Sequence, residues 1–264
     1  MTSGDDVPDP CGGLRDAVVW FLRTDHAGVL FVREAASSAL TVAMVGVLLF
    51  AVSGVWPPLV AVESGSMQPN MQRGDLVFVM DEQRFAPEYA EGDTGIVPLR
   101  AAEDYGYRQF GGYGDVVVYE PGGNGRATPV IHRAHFWVED GENWYEEADP
   151  DYVSADSCEE LRNCPAPHAG FITKGDNEVT NDYYDQARGI SSPVKPDWIR
   201  GTAEYRIPHL GWVRLTFGSA VAADASDPGT AVQSDSGTTV RSDPGPSPGD
   251  GPGGDVGVAV APLT

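Results

Sequence analysis

The chain has 264 residues, 41% of them hydrophobic, which suits one sizeable domain with appendages. Thirty-nine Asp and Glu against 17 Lys and Arg give a formal charge of -22, and this argues against a nucleic-acid binder because phosphate contacts need a basic face. Three cysteines without paired CxxC spacing are too few for a disulfide-built scaffold and do not make a structural zinc site.

Residues 1–34 carry Arg15, Arg23 and Arg33 and two apolar clusters, Val18 to Leu22 and Val29 to Val32, that suggest a short interfacial helix. Between Glu34 and Glu63 lie 28 consecutive uncharged residues, Ala35 to Val62, densest in apolar side chains from Ala39 to Phe50. Helix can run from Ala35 to Trp56 before Pro57 and Pro58 end it, and 22 residues at about 1.5 Å each reach roughly 33 Å, enough for a hydrocarbon core. The reading is one transmembrane anchor with its exit at 35–62; the alternative is a buried core helix. A cleavable signal peptide would usually begin nearer residue 1 and end in a short A-x-A site, whereas here about 34 residues precede the run. The first cation after it is Arg73, so the positive-inside rule puts the N-terminus in the cytoplasm and the rest outside the cell membrane.

From 63 to 219 the chain alternates short β-type runs with turn residues: Leu76 to Val79, Val116 to Tyr119, Val130-Ile131, His135 to Val138, Gly170 to Ile172 and Trp212 to Phe217. The fold class is therefore mostly β. Two runs open alike, Arg73-Gly74-Asp75 and Tyr113-Gly114-Asp115, a recurrent turn device before a buried strand. Glu139 to Glu160 carries ten carboxylates and no cation, the pattern of a solvated loop rather than a calcium site. Cys158 and Cys164 within and beside it either close a small loop, if they face an oxidising exterior, or remain two free thiols. Residues 220–264 are mostly Gly, Pro, Ser, Asp, Ala and Thr without aromatics, so they form an expected disordered tail.

Three segments could carry chemistry. Glu63-Ser64-Gly65-Ser66-Met67 sets a hydroxyl among small residues, where backbone amides can approach a bound carbonyl; by itself it is an ordinary turn. His132 ends a β-branched run and could take a serine's proton, though a lone histidine in a strand is more often structural. His135, His168 and Lys174 are rival bases. Thr173-Lys174-Gly175-Asp176-Asn177, followed by Asp182, offers a carboxylate to orient an imidazole.

In this order, with Ile131-His132-Arg133 and Ile207-Pro208-His209-Leu210-Gly211, the segments resemble the type I signal peptidases of the archaeal and endoplasmic-reticulum kind, over roughly Ala39 to Phe217. The resemblance implies a signal-peptidase-like catalytic β domain at 63–219 with Ser66 as nucleophile and Ser64 beside the Ser66 amide in the oxyanion hole. It implies His132 as general base and Asp182 as the third catalytic group, ranked above Asp176 as a supporting carboxylate. Gln68 stands where family members often carry glutamate, and the chain is longer than a minimal member at 81–109 and 139–168. The expected reaction is removal of signal peptides from preproteins at the outer membrane face, by serine acylation and hydrolysis without metal or cofactor. The expected partners are preprotein signal peptides, the lipid bilayer and the protein translocation machinery. With only Lys174 and Lys195 as lysines, the acidic composition resembles that of proteins from salt-loving archaea. A membrane-anchored β interaction module is the rival reading from another class.

Overall fold

The computed structural model describes residues 13–213, 215–216 and 260–262, and the chain divides into two compact units after Val52. The first contains two helices, α1 (Leu14–Arg23) and most of α2 (Ala27–Ser53). α1 matches the front half of the expected interfacial segment, whereas Val29 to Val32 belong to α2. α2 is longer at its start than the uncharged run because Arg33 and Glu34 are good helix formers. It stops at Ser53 rather than Trp56 because Gly54 adopts a left-handed φ of 83°. At 27 residues it spans about 40 Å, and it is the one helix among the described residues long and apolar enough to cross a membrane.

The second unit is a β-sheet of seven strands in the order β7-β6-β5-β8-β2-β1-β9. In chain order these are β1 (Leu59–Val62), β2 (Leu76–Met80), β5 (Val116–Tyr119), β6 (Val130–Val138), β7 (Gly170–Lys174), β8 (Ile199–Ile207) and β9 (Val260–Pro262). All neighbours are antiparallel. A short helix α3 (Leu99–Tyr105), a hairpin of β3 (Arg108–Gln109) and β4 (Gly112–Tyr113), and a one-turn helix α4 (Asp185–Arg188) complete it. β5 is buried at every position, as its unbroken Val-Val-Val-Tyr run requires of a strand covered on both faces. Bulges in β8, at Glu204 and Arg200, and in β6, at His135, add twist, and Asn177, just past β7, donates its N–H to the Ser66 carbonyl, just past β1, at 2.7 Å. The sheet thus curls until strands near its two ends meet at one place.

Val130-Ile131 and His135 to Val138 are one continuous strand, and β1 and β8 join the sheet without having stood out in the sequence. Trp212 to Phe217 is not a strand: 211–213 and 215–216 are helical, and Phe217 lies outside the described residues. The chain turns after β8 at His209, whose φ is 62° and whose N–H is bound by the Asp75 carboxylate at 3.2 Å. The expected tail, 220–264, also lies outside the described residues except for β9, which pairs with β1.

Both Gly-Asp openers work alike. Gly74 and Gly114 supply positive φ angles of 88° and 77°, and the aspartate after each is buried and accepts a neighbouring loop's N–H. Asp75 binds Gln72 N at 2.9 Å, and Asp115 binds Val97 N at 2.7 Å. The acidic segment 139–160 is more than a solvated loop. Its carboxylates face mainly outward, but Trp144 is wholly buried in a second small core with Phe136, Val138, Leu161, Ile172 and Tyr184. Truncating such a buried tryptophan costs about 3–5 kcal/mol.

His135, on β6, packs edge-on against Tyr152 and Tyr184. Burial, aided by the charge of Lys174, pushes its imidazole down to about 3. The unfolded chain, with an ordinary imidazole near about 6.5, then binds a proton that the folded chain refuses. The stability held above that value is lost as the pH falls towards 3. Between pH 7 and pH 5 the folded domain should lose up to about 2 kcal/mol through this group. In denaturant titrations His135→Phe should flatten the pH dependence by that amount; an unchanged slope would assign the acid sensitivity elsewhere.

Candidate active site

Ser66 sits in the loop that leaves β1, 6% exposed. The loop is fixed at both ends. Met67 and Met71 are fully buried, Gln68 N donates to Gly65 O at 3.0 Å, and Asn177 clamps the other side through its main-chain N–H on Ser66 O and its side-chain amide on Gly65 O at 2.8 Å. The serine hydroxyl therefore has a defined direction before any ligand arrives.

It points at His132. His132 lies on β6 opposite Val117, has no solvent exposure, and brings Nε2 to 3.0 Å from Ser66 Oγ. Its Nδ1 lies 2.7 Å from Oδ2 of Asp185, the first residue of α4. The same oxygen accepts the Thr173 hydroxyl at 2.6 Å and the Tyr119 hydroxyl at 2.8 Å, while Oδ1 has no hydrogen-bond partner among the described residues. Burial by itself drives the Asp185 carboxyl upward, but the charge of His132 and the bonds from His132, Thr173 and Tyr119 outweigh it and hold the group below the usual carboxylate range. Tyr119 moves the opposite way. Burial and the neighbouring Asp185 charge keep its phenol protonated and hence a donor. With an ionised carboxylate at Nδ1, that nitrogen carries the proton and Nε2 presents its lone pair to the Ser66 hydroxyl.

The expected third group is thus displaced. Asp182 is exposed, and the carboxylate on His132 is Asp185. They stand three positions apart, but Asp182 lies in the polar stretch Thr180-Asn181-Asp182, whereas Asp185 follows the buried Tyr184 into a helix packed on β7. That apolar flank was the available sequence signal. Tyr119 and Thr173 were also missed as carboxylate donors, because each reads simply as a strand residue.

Asp176 does not reach His132. It receives a forked pair of bonds from Arg133, Nε to Oδ1 at 2.9 Å and Nη2 to Oδ2 at 2.6 Å, and a third from Asn70 at 2.8 Å. Arg133 in turn donates to the carbonyls of Gln109, Tyr113 and Gly114. This buried pair ties the loop after β7 to the serine loop and the β3–β4 hairpin, a structural role. Ser64 Oγ accepts the Ser66 N–H at 3.3 Å. Among the rival bases, Lys174 lays its ammonium over the Tyr152 ring and donates to Gly175 O, while burial lowers its affinity for protons. His168 hydrogen-bonds Ser192 and stacks edge-on against Trp198. Cys158 and Cys164 are joined in a disulfide.

Between the two halves of the site lies Gly175, where a methyl group would sit 2.7 Å from Ser66 O and 2.9 Å from His132 Nε2. Only the missing side chain lets β7's exit come so close. Gly175→Ala should therefore part the serine from the imidazole and slow the reaction of Ser66 with an acylating serine probe about a hundredfold, without unfolding the domain. Labelling at the wild-type rate would show that the gap closes by other means.

No family model matches the chain. It is similar to the signal peptidase complex catalytic subunit sec11 of Aspergillus oryzae, 27% identical over 158 residues, which is 60% of this chain and 64% of that one. The subunit of the same name from Neurospora crassa is 28% identical over 158 residues, 60% of this chain and 62% of its own length. The SEC11 subunit of Saccharomyces cerevisiae is 28% identical over 160 residues, with coverage of 60% and 64%. The chain thus spans somewhat less than two thirds of these relatives.

Proposed function

We propose that the protein is a membrane-bound serine endopeptidase of the type I signal peptidase family that removes N-terminal signal peptides from secreted preproteins. The observation that carries this is the relay from Ser66 Oγ through His132 to a buried, ionised Asp185. It occurs in a chain similar to proteins named signal peptidase catalytic subunits. The rival reading, a noncatalytic interaction module, leaves the costly burial of Asp185 and its three donors without a purpose.

In this reading Ser66 Oγ attacks the scissile carbonyl carbon as its proton passes to His132 Nε2. The carbonyl π electrons move onto oxygen, where the Ser66 N–H and a rotated Ser64 hydroxyl stabilise them. Collapse of this intermediate expels the peptide amine, which takes the proton from His132, and leaves an ester on Ser66. Water, deprotonated by the same nitrogen, then adds to the ester carbonyl, and collapse of the second intermediate breaks the bond to Ser66 Oγ, which recovers the proton from His132 as the new carboxyl terminus leaves. Asp185 stabilises the imidazolium formed in each half and keeps Nε2 aimed at the reacting atoms.

α2 serves as the anchor. Arg15, Arg23 and Arg33 set its N-terminal side in the cytoplasm, and Ser66 follows the helix end at Ser53 by 13 residues, so chain length alone keeps it near the outer membrane face. A signal peptide's apolar helix ends at the same depth, which delivers small residues at the first and third positions before the cut. The protein translocation machinery supplies the substrate there. The acidic, lysine-poor composition fits a salt-loving archaeal source.

Ser66→Ala should abolish preprotein processing in membranes. Asp185→Asn should lower kcat on the order of 10³- to 10⁴-fold, by leaving the imidazole in the wrong tautomer, whereas Asp182→Asn should stay within about threefold of wild type, as expected for an exposed side chain. A severe loss in Asp182→Asn with normal cleavage by Asp185→Asn would overturn the assignment of the acid.

A further inference from the structure

Asp185 stands on a single helical turn. Four residues cannot hold a helix by themselves, so the position of α4 is set by whatever grips it from outside. One grip is on its backbone carbonyls. Asn163 Nδ2 donates to the Gln186 carbonyl at 2.9 Å and to the Ser191 carbonyl at 3.3 Å, on either side of the Gly189 turn that ends the helix. The side chain of Gln186 carries the grip inward. Its Oε1 accepts the Thr173 N–H at 2.9 Å, and Thr173 Oγ1 donates to the carboxylate oxygen that His132 uses.

Asn163 itself is held by a device that this chain carries in its acidic insertion. It lies inside the ring closed by Cys158–Cys164, with a left-handed φ of 58° that asparagine tolerates and most residues do not. Its carbonyl accepts the indole N–H of the wholly buried Trp144 at 2.7 Å. Leu161, also in the ring, is buried in the same small core. The remaining neighbour in the ring, Arg162, packs so closely over Gly189 that any side chain there would strike it.

We propose that Asn163, presented by the disulfide-closed loop 158–164, is a positioning residue for Asp185, and that proteolysis consequently depends on the Cys158–Cys164 bond. This rests on the reading of Ser66, His132 and Asp185 as the catalytic groups. The disulfide restricts the loop, the loop aims the Asn163 amide, and the amide fixes the end of α4. Opening the bond or removing the amide lets α4 rotate, and Asp185 then no longer holds the imidazole in line with Ser66. Substrate contacts are untouched, so the effect falls on kcat rather than KM.

The test uses the full chain in detergent micelles. Asn163→Gly keeps the left-handed turn while deleting the amide, and a Cys158→Ala, Cys164→Ala double variant deletes the cross-link. Each should lower kcat about tenfold with KM within about twofold. A thiol-free phosphine reductant should slow the wild type to the same degree and leave the double variant unaffected. Hydrogen exchange of the backbone amides from 185 to 190, measured also in Ser66→Ala, should quicken in both variants. Unchanged kcat together with unchanged exchange in Asn163→Gly overturns the proposal, as does faster exchange throughout the domain with a matching loss of unfolding temperature, since that reports general destabilisation. If the wild type neither cleaves preprotein nor takes up an acylating serine probe, the catalytic reading fails by itself, while exchange at 185–190 still decides whether Asn163 holds α4.

Discussion

A carboxylate sealed from water is the constraint around which this domain is organised. Transferring an ion such as Asp185 into the interior costs several kcal/mol unless its charge is met by donors of good geometry. Here one oxygen collects three of them, from β5, β6 and β7, while the acid itself comes from α4. Four elements distant in sequence must therefore be in register before the charge is tolerable. Once they are, His132 has a fixed tautomer and a fixed direction. The cost of burial and the fixed orientation of the imidazole are two aspects of one arrangement.

The second buried ion pair does a different task. Arg133 and Asp176 are direct chain neighbours of site elements, the arginine following His132 and the aspartate following Gly175, yet neither touches the relay. The alternation of strand side chains explains the division of labour: on β6, His132 faces the relay while Arg133 faces the opposite side, where it secures the hairpin carbonyls. One side of the strand meets Ser66 and Asp185, and the other ties the surrounding loops together.

The segment 139–168 extends the same logic outward. Its acidic side chains keep it soluble, while Trp144, Leu161 and the disulfide give it a rigid interior against which Tyr184 packs. The segment is thus not a loose appendage but part of the packing around Tyr184, which precedes Asp185. Its composition disguises this, because ten carboxylates dominate the pattern and the few apolar residues that pack, Trp144, Val153 and Leu161 among them, are scattered between them.

The sequence by itself determined what local chemistry can determine. An uninterrupted apolar run makes a helix long and apolar enough to cross a membrane, valine-rich runs make buried strands, and Gly-Asp pairs make the turns that open β2 and β5. The proximity of Ser66 and His132 was legible only from the order of the motifs, since a serine in a small-residue turn and a histidine in a strand are each ordinary by themselves. The acid was not legible. Among Asp176, Asp182 and Asp185 only the apolar flank of Asp185 sets one apart, and which of them meets the imidazole depends on where α4 docks against β7, a contact between surfaces that sequence spacing does not encode. Nor could β8 be read, since Gly201 and its charged residues hide the strand until β2 and β5 pair with both of its edges. Tertiary structure decided these points because desolvation is a property of the assembled interior: a carboxylate acquires its role only when the donors that make its burial bearable arrive from elsewhere in the chain.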